Sequence, residues 1–328
     1  MKSWIYCNAL GCFVIDENKK IINSLPFSEE AAVQDPVLPE AGKTLDAQMH
    51  LQKKYPSAEL IVPSDEGVPL VVLAAFNDKK FLEKLRVIAL KRTKQKIAQS
   101  VRRDALIVQA INEVDELDTV MNMLVKRLRE WYGLHNPEFE HAIDDHQRFV
   151  QTIMDDDRTS LLKKIKVDER YAMGAPFAKE DIEALMRCAK KIASLYELRA
   201  DLISYVENVM EKECPNVLEM CGTSIGAKLL SIAGGLERLS RMPASTIQLL
   251  GAEKALFRHL RNRSYLPPKY GVIIQHPLVA KVKKNDKGKA ARALADKIAI
   301  AAKVDFFKGK KIAPDLKKQL VDRFGEYS

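Results

Sequence analysis

Residues 91–220 contain only two glycines and three prolines: Gly133, Gly174, Pro137, Pro176 and Pro215. A stretch so poor in turn residues cannot fold back often, so long helix broken at those positions is what remains. The apolar pattern agrees. Ile107, Ala110, Val114, Leu117, Met121, Leu124, Leu128 and Trp131 recur at intervals of three and four, the spacing of a coiled-coil seam. Gly133 ends that helix. Asn136-Pro137-Glu138 opens another with an N-cap, a first-turn proline and an acid at the positive helix end. A second seam of the same spacing follows at Leu185, Cys188, Ile192, Leu195, Arg199, Leu202, Val206 and Val209, with Arg199 its one polar member. Two such seams joined by a helical connector zip into an antiparallel pair, each arm of about 25 residues reaching roughly 37 Å. The flanks (Glu113, Asp115, Glu116, Asp118, Lys190, Lys191, Glu197) are too charged for helices buried all round.

The flanking thirds are punctuated differently. Residues 1–90 hold three glycines and six prolines, and residues 221–328 hold nine and five. In the first third, residues 4–15 and 58–63 read as strands, as does 68–76, while 43–55 reads as helix. The last third reads as short helices over 224–232, 236–241, 245–250 and 253–260, closed by glycine or proline, followed by helices over 290–303 and 315–324. A mobile basic loop is expected at 285–289. The expected class is α+β, mostly α. A small N-terminal α/β domain (1–90) precedes a long antiparallel coiled-coil arm (91–220) and an all-helical C-terminal domain (221–328).

Charge separates the same thirds. The net +9 of the 328 residues is an average of unlike parts. Residues 1–90 carry 10 basic and 12 acidic groups, residues 91–220 carry 21 and 24, and residues 221–328 carry 22 and 8. A uniformly basic coat for nucleic acid is excluded, and the basic end is where a polyanion would bind. The near-neutral first third suits a protein partner. The longest uncharged apolar run, 68–76, is far too short to span a membrane. The apolar start ends at Asp16-Glu17 without a small-residue cleavage site, which reads as strand rather than signal peptide. Cys7, Cys12, Cys188, Cys214 and Cys221 are odd in number and form no CxxC pair, so buried reduced thiols in a cytoplasmic protein are expected.

Several chemistries make specific demands on spacing. Gly222–Lys228 suggests a phosphate loop, but its second glycine comes one residue early and Leu229 stands where a hydroxyl is needed. A helix N-cap at Thr223 or Ser224 is the better reading. Glu140, His141, Asp144, Asp145 and His146 look metal-like. However, the two histidines are five apart and face different ways on a helix, so no metal site is expected. No nucleophile pattern emerges, and no catalytic residue is assigned. The segment 251–270 is the informative one. Gly251 ends one helix where Ala252-Glu253-Lys254 opens the next, placing free N–H groups where a phosphate is favoured. Arg258 and Arg261 share a face, Arg263 and Lys269 follow, and Phe257, His259, Tyr265 and Tyr270 interleave flat rings suited to stacking on unpaired bases, with Phe257 and one tyrosine equally suited to core packing. Glu253 is the discordant acid, suited to capping the helix or accepting from a nucleobase amino group.

Longer runs of the sequence resemble a known family. The run GTSIGAKLLSIAGGLERLSRMPASTIQLLGAEKALFRHLR, then PPKYGVIIQHPLV, closely resembles the Nop domain, and REWYGLHNPEFEHAIDDH at 129–146 is similar to that family's inter-helix connector. The resemblance covers essentially the whole chain and points to the archaeal core protein of box C/D guide ribonucleoproteins, which direct RNA 2′-O-methylation. Eukaryotic members carry Lys/Glu-rich tails, whereas this sequence ends at Tyr327-Ser328. The resemblance implies that the N-terminal domain binds the methyltransferase fibrillarin, which carries the S-adenosylmethionine. It implies that the coiled coil self-associates into a homodimer. It also implies that the basic domain recognises guide RNA together with a small kink-turn-binding protein, next to the guide–substrate duplex. Carried over, the RNA-contacting residues are Gly251, Ala252, Glu253 and Lys254, then Ala255, Leu256, Phe257 and Arg258, with Arg261 and Lys269 beside them. The self-association seam is Val114, Leu117, Met121, Leu124, Leu128 and Trp131 with Leu185, Ile192, Leu195, Leu202, Val206 and Val209. The chain itself then needs no cofactor and acts as a non-catalytic scaffold. The alternatives are a spliceosomal Nop-domain protein, an RNA-modifying enzyme, or a coiled-coil protein whose basic end holds DNA without sequence preference.

Overall fold

Alternating apolar residues at the N-terminus fold into a small sheet. The structure, a computed structural model, describes residues 2–8, 10–27, 42–61 and 70–325. Strands β1 (Ser3–Asn8), β2 (Gly11–Asp16), β3 (Ile21–Pro26) and β4 (Glu59–Ile61) lie in the order β3-β2-β1-β4. β1–β2 and β2–β3 are antiparallel, and β4 joins β1 in parallel. The single strand expected over 4–15 is thus a hairpin. Its turn is held by Leu10 N–H donating to Asn8 Oδ1 at 2.8 Å. Gly11, with φ +150°, sits so close to the next strand that a Cβ would lie 2.4 Å from Leu25 O. Unbroken apolarity across residues 9–13 concealed the reversal.

The register sets Cys7 opposite Cys12, and the two form a disulfide. This corrects the expectation of reduced thiols at those positions. Cys188 is free and exposed rather than buried. Only Cys214 and Cys221 match the expectation, and burial pushes both thiols up, that of Cys221 to about 12.

Helix α1 (Gly42–Lys54) packs Leu51 on one sheet face with Ile5 and Val14. The other face meets α2 (Leu70–Ala75), where Val72 and Phe76 cover Phe13 and Ile15. Residues 70–75 were expected as strand and are helix. An apolar run buried against a sheet has no period that separates the two, and its Leu and Ala favour helix. Residues 62–63 and 68–69 of the expected strands, and Tyr327-Ser328 at the end, lie outside the described residues. Helix α3 (Lys79–Ser100) follows, its first turn capped by Asp78. Contacts divide the chain into compact units Met1–Val101 and Arg102–Ser328.

In the second unit, α4 (Arg103–Gly133) pairs with α8 (Lys179–Glu213). Early α4 residues (Ile107, Ala110) share a core with late α8 residues (Val206, Met210). Late α4 residues (Val125, Leu128) share one with Leu185 and Ile192, so the pair is antiparallel. Val114, Leu117, Met121, Leu128, Leu185, Ile192, Val206 and Val209 are buried within this intrachain pair, and Leu195 and Leu202 are half-buried, so the seam assigned to self-association is used inside one chain. Leu124 and Trp131 are not in this seam. They are 42% and 37% exposed, and Val125 and Tyr132 take the buried places. Cys188 likewise yields to Ala189. A straight helix drifts by about 20° per heptad from a strict seven-residue repeat, and the roughly 40° gathered over two heptads tips the buried place from one residue to its neighbour. Arg199, the polar member, pairs with Asp118 across the seam (Nε–Oδ1 2.5 Å, Nη2–Oδ2 3.1 Å).

The connector folds as α5 (Pro137–Ala142), α6 (His146–Asp155) and α7 (Arg158–Lys164) around Phe139, Phe149 and Tyr132. Arg129 ties its first turn down. Its Nη2 donates to Glu140 O and Ile143 O, both at 2.6 Å, and its guanidinium lies over the Phe149 ring.

The C-terminal helices are α9 (Pro215–Ala233), α10 (Leu236–Arg241), α11 (Ala244–Leu249), α12 (Glu253–Arg261), α13 (Pro277–Lys281), α14 (Lys287–Phe306) and α15 (Ala313–Phe324). The basic loop expected at 285–289 is a turn leading into the first residues of α14. Alanines 290, 291, 295, 301 and 302 on α14 are buried, letting its neighbours approach closely. A buried polar pair joins three helices here. Asp305 of α14 accepts from the N–H groups of Asn216 (3.2 Å) and Val217 (2.9 Å), which open α9, and from Asn216 Nδ2 (2.7 Å). Asn216 Oδ1 in turn accepts from Ile312 N–H (2.7 Å) and Ala313 N–H (2.9 Å) at the start of α15. Burial raises the Asp305 carboxyl above its ordinary range, and these donors oppose the rise.

Asp305→Ala strands those donors, and chemical denaturation should report a loss of roughly 3 kcal/mol. A pH dependence follows from His276, whose Nδ1 accepts from Leu278 N–H while Nε2–H donates to Met220 O. Burial lowers its pKa, so the neutral ring belongs to the folded state. Its contribution is complete above the unfolded value of about 6.5 and drains away as pH falls below it towards the lower folded value. Denaturation midpoints should therefore fall faster between neutral and mildly acidic pH in the native protein than in His276→Gln.

Candidate nucleic-acid interface

Helix α12 is the amphipathic segment that the body does not bury. None of its nine residues is buried. Its base is stitched firmly. Gly271 N–H donates to Gln248 O and Val272 N–H to Leu250 O, both at 2.8 Å, and Gln248 Nε2 donates to Lys269 O at 2.6 Å. Gly251 turns the chain at φ +85°, against the Val272 side chain. Glu253 folds back so that Oε1 accepts from Gly251 N–H at 2.7 Å. The acid therefore ties down the turn before the helix rather than capping it, and Ala252 stands at the N-cap with no side-chain cap bond.

Lys254, Arg258 and Arg261 fall at i, i+4 and i+7, one stripe of the helix. All three are exposed, as is Lys269. Phe257 is 65% exposed at the stripe's edge, and Ala255 is exposed while Ala252 and Leu256 are half-buried. The Arg258 guanidinium lies 5.7 Å from the centre of the Tyr265 ring, and His259 Nδ1–H donates to Tyr265 O. The structure thus brings together the cations and rings of 251–269, with no acid but Glu253 on the helix. Sequence reasoning missed Gln248 and Gly271, which fix this segment to the body. Nothing in residue type or spacing distinguishes them from ordinary turn residues.

The competing sites fall away on geometry. Lys228, the lysine of the apparent phosphate loop, pairs with Asp115 at 2.8 Å. Asp145 caps α6 by accepting from Arg148 N–H, and Glu140 pairs with Arg129. Among the described residues no group of His, Cys, Asp and Glu is arranged to hold a metal ion. No helix among them is long and apolar enough to cross a membrane.

A helical body with a paired arm and an exposed basic–aromatic helix offers a surface suited to a polyanion. Comparison with known proteins makes this specific. Residues 113–326 match the family model described as "Nop: snoRNA binding domain, fibrillarin". An uncharacterised NOP5 family protein of Methanocaldococcus jannaschii is 40% identical over 270 residues, 77% of this chain and 65% of that protein. Nucleolar protein 58 of Schizosaccharomyces pombe is 38% identical over 216 residues, 62% of this chain and 42% of its own length. Nucleolar protein 56 of the same yeast is 34% identical over 226 residues, 63% of this chain and 45% of that one. A crystal structure of a fibrillarin/Nop5p complex is 27% identical, covering 99% of this chain and 100% of that one at a TM-score of 0.45. The chain belongs to the Nop family. It spans less than two thirds of the length of these curated relatives.

Gly271→Ala would set a Cβ 1.8 Å from Leu250 O, so thermal unfolding should show a loss of about 2 kcal/mol or more. Phe257→Ala, by contrast, should change stability by no more than about 0.5 kcal/mol, because that ring is mostly in solvent.

Proposed function

We propose that this chain is a non-catalytic scaffold of a box C/D guide ribonucleoprotein that links guide RNA, with its kink-turn-binding protein, to fibrillarin for RNA 2′-O-methylation. The observation that carries the reading is α12, a helix held at its base yet unburied along its length, with Lys254, Arg258 and Arg261 in one stripe beside Phe257. Family membership says which nucleic acid to test. The nearly neutral residues 1–90 take the role of fibrillarin dock, residues 91–220 that of a self-associating arm and residues 221–328 that of an RNA grip. Catalysis then rests on placement. Methyl transfer needs the acceptor hydroxyl within bonding reach of the donor, and a rigid arm supplies that geometry. The S-adenosylmethionine belongs to fibrillarin, and the setting is the archaeal cytoplasm.

RNA-binding assays test the grip. The full chain should bind box C/D RNA tightly only with the kink-turn protein present, and Arg258→Ala or Lys254→Ala should weaken the complex by about tenfold while leaving fibrillarin binding unchanged. Equal affinity for arbitrary RNA without that protein would overturn the reading, as would methyl incorporation without fibrillarin.

Self-association has its own support. Leu124 and Trp131, set outside the intrachain seam, line an apolar groove of about 490 Å³ with Leu128, Cys188 and Ile192. A second copy laying its arm there would cover them. Trp131→Asp should halve the mass measured by light scattering without lowering the unfolding temperature of the monomer. An unchanged mass would place the contact elsewhere.

A further inference from the structure

The tip of the arm carries a second cavity, far along the chain from the basic helix and chemically opposite to it. It encloses about 480 Å³ between the end of α4, the start of α8 and the α6–α7 turn. Tyr132, His135 and Phe177 supply aromatic walls, the last two stacked with ring centres 4.8 Å apart. Ile153, Ile182 and Leu185 supply aliphatic surface. Three consecutive carboxylates, Asp155, Asp156 and Asp157, stand at the cavity with one cation, Arg158.

Those charged groups are not equally available. Asp156 is taken by Lys164 at 2.5 Å. Arg158 donates its Nη2 to Met173 O at 2.9 Å but keeps its charge, and its Nε is buried without a partner, so Asp155 and Asp157 at the cavity are opposed by one cation. Asp157 caps α7, and hydrogen bonds from the Ser160 side chain and N–H hold its carboxyl below the usual range. Asp155 is exposed. His135 Nδ1–H donates to Ala175 O, so the ring's other nitrogen is an acceptor. The cavity therefore offers anionic and accepting groups at an apolar, aromatic wall, the combination that holds the stem and charged head of a long basic side chain. Outside it, Leu134, Tyr171 and Met173 are 64%, 80% and 66% exposed, a soft apolar apron of the kind that moulds to a peptide. The surroundings repel nucleic acid, because residues 135–185 carry twelve acidic and seven basic side chains.

We propose that the arm tip is a docking site for a basic, apolar-flanked segment of a partner protein, with one lysine or arginine side chain entering the cavity. Charge complementarity selects this occupant. RNA phosphates meet the aspartates as like charges, and so does the acidic tip of a second copy. The apron takes the apolar flanks of the segment, and Asp155 and Asp157 take its cation.

The test uses the full chain and a labelled amphipathic helical peptide of leucine and lysine, followed by fluorescence anisotropy at low and moderate salt. Asp155→Lys, at an exposed position, should weaken binding by about tenfold, and Met173→Glu should do the same through the apron. Asp201→Lys, on the exposed arm shaft, should leave binding unchanged. The proposal is overturned if Asp155→Lys binds the peptide as well as the native chain, or if a peptide with glutamate in place of lysine binds equally. It is also overturned if Asp155→Lys changes the mass of the chain in solution, since a second copy would then be the occupant. None of these outcomes depends on RNA binding, so the proposed scaffold function is tested separately.

Discussion

The second unit depends on one buried polar contact, the pairing of Asn216 with Asp305. Helix α9 follows α8 across the single residue Cys214, so the direction of the arm is passed to the C-terminal bundle at that junction. A helix start buried there leaves N–H groups that water cannot reach. Asp305 satisfies two of them from α14, and Asn216 repeats the service for α15. Three helix termini are thereby fixed against one another by a handful of directional bonds. The alanine face of α14 then packs closely. Apolar contact alone would let these helices slide, and the hydrogen bonds give the bundle its register. On the other side of the bundle, Asp104 of α4 accepts from Leu236 N–H at 2.8 Å, so the arm also caps α10.

The exposed helix α12 is intelligible against that rigid background. A nine-residue amphipathic helix is marginal on its own. Here its base is held by main-chain bonds from 271 and 272 to the residues before Gly251, while its stripe of cations stays in solvent. The arrangement separates the cost of building the surface from its use. Exposed Phe257, Leu260 and Leu266 would be a liability on an ordinary surface and suit one that meets a partner.

Much of this was legible in the sequence because the relevant physics is local or periodic. Scarcity of glycine and proline exposed the arm, the three-four spacing found most of its seam, and Asn136-Pro137 marked the connector helix. The interface segment stood out because Arg258, Arg261 and the rings around them cluster in a basic third. What failed depended on distance or phase. Leu124 and Val125 are equally apolar neighbours, and which one is buried depends on drift accumulated over two turns of the repeat. The hairpin of residues 3–16 and the helix at 70–75 are runs without a readable period. Cys7 and Cys12 pair because that hairpin sets them opposite each other, which a count of cysteines does not reveal. Asn216 and Asp305 lie 89 positions apart, and nothing in either's local sequence announces the other.

The segregation of charge within the second unit has a kinetic consequence. Acid gathers where the arm helices turn at 135–185, and base gathers beyond residue 220. Near a polyanion such a body feels a torque as well as a pull, since one end is drawn in while the other is pushed away. Approaching molecules are thus turned before they touch, and fewer encounters are spent in the wrong orientation. The lopsided distribution hidden inside a modest net charge acts as a compass needle, and its reach shortens as salt is added.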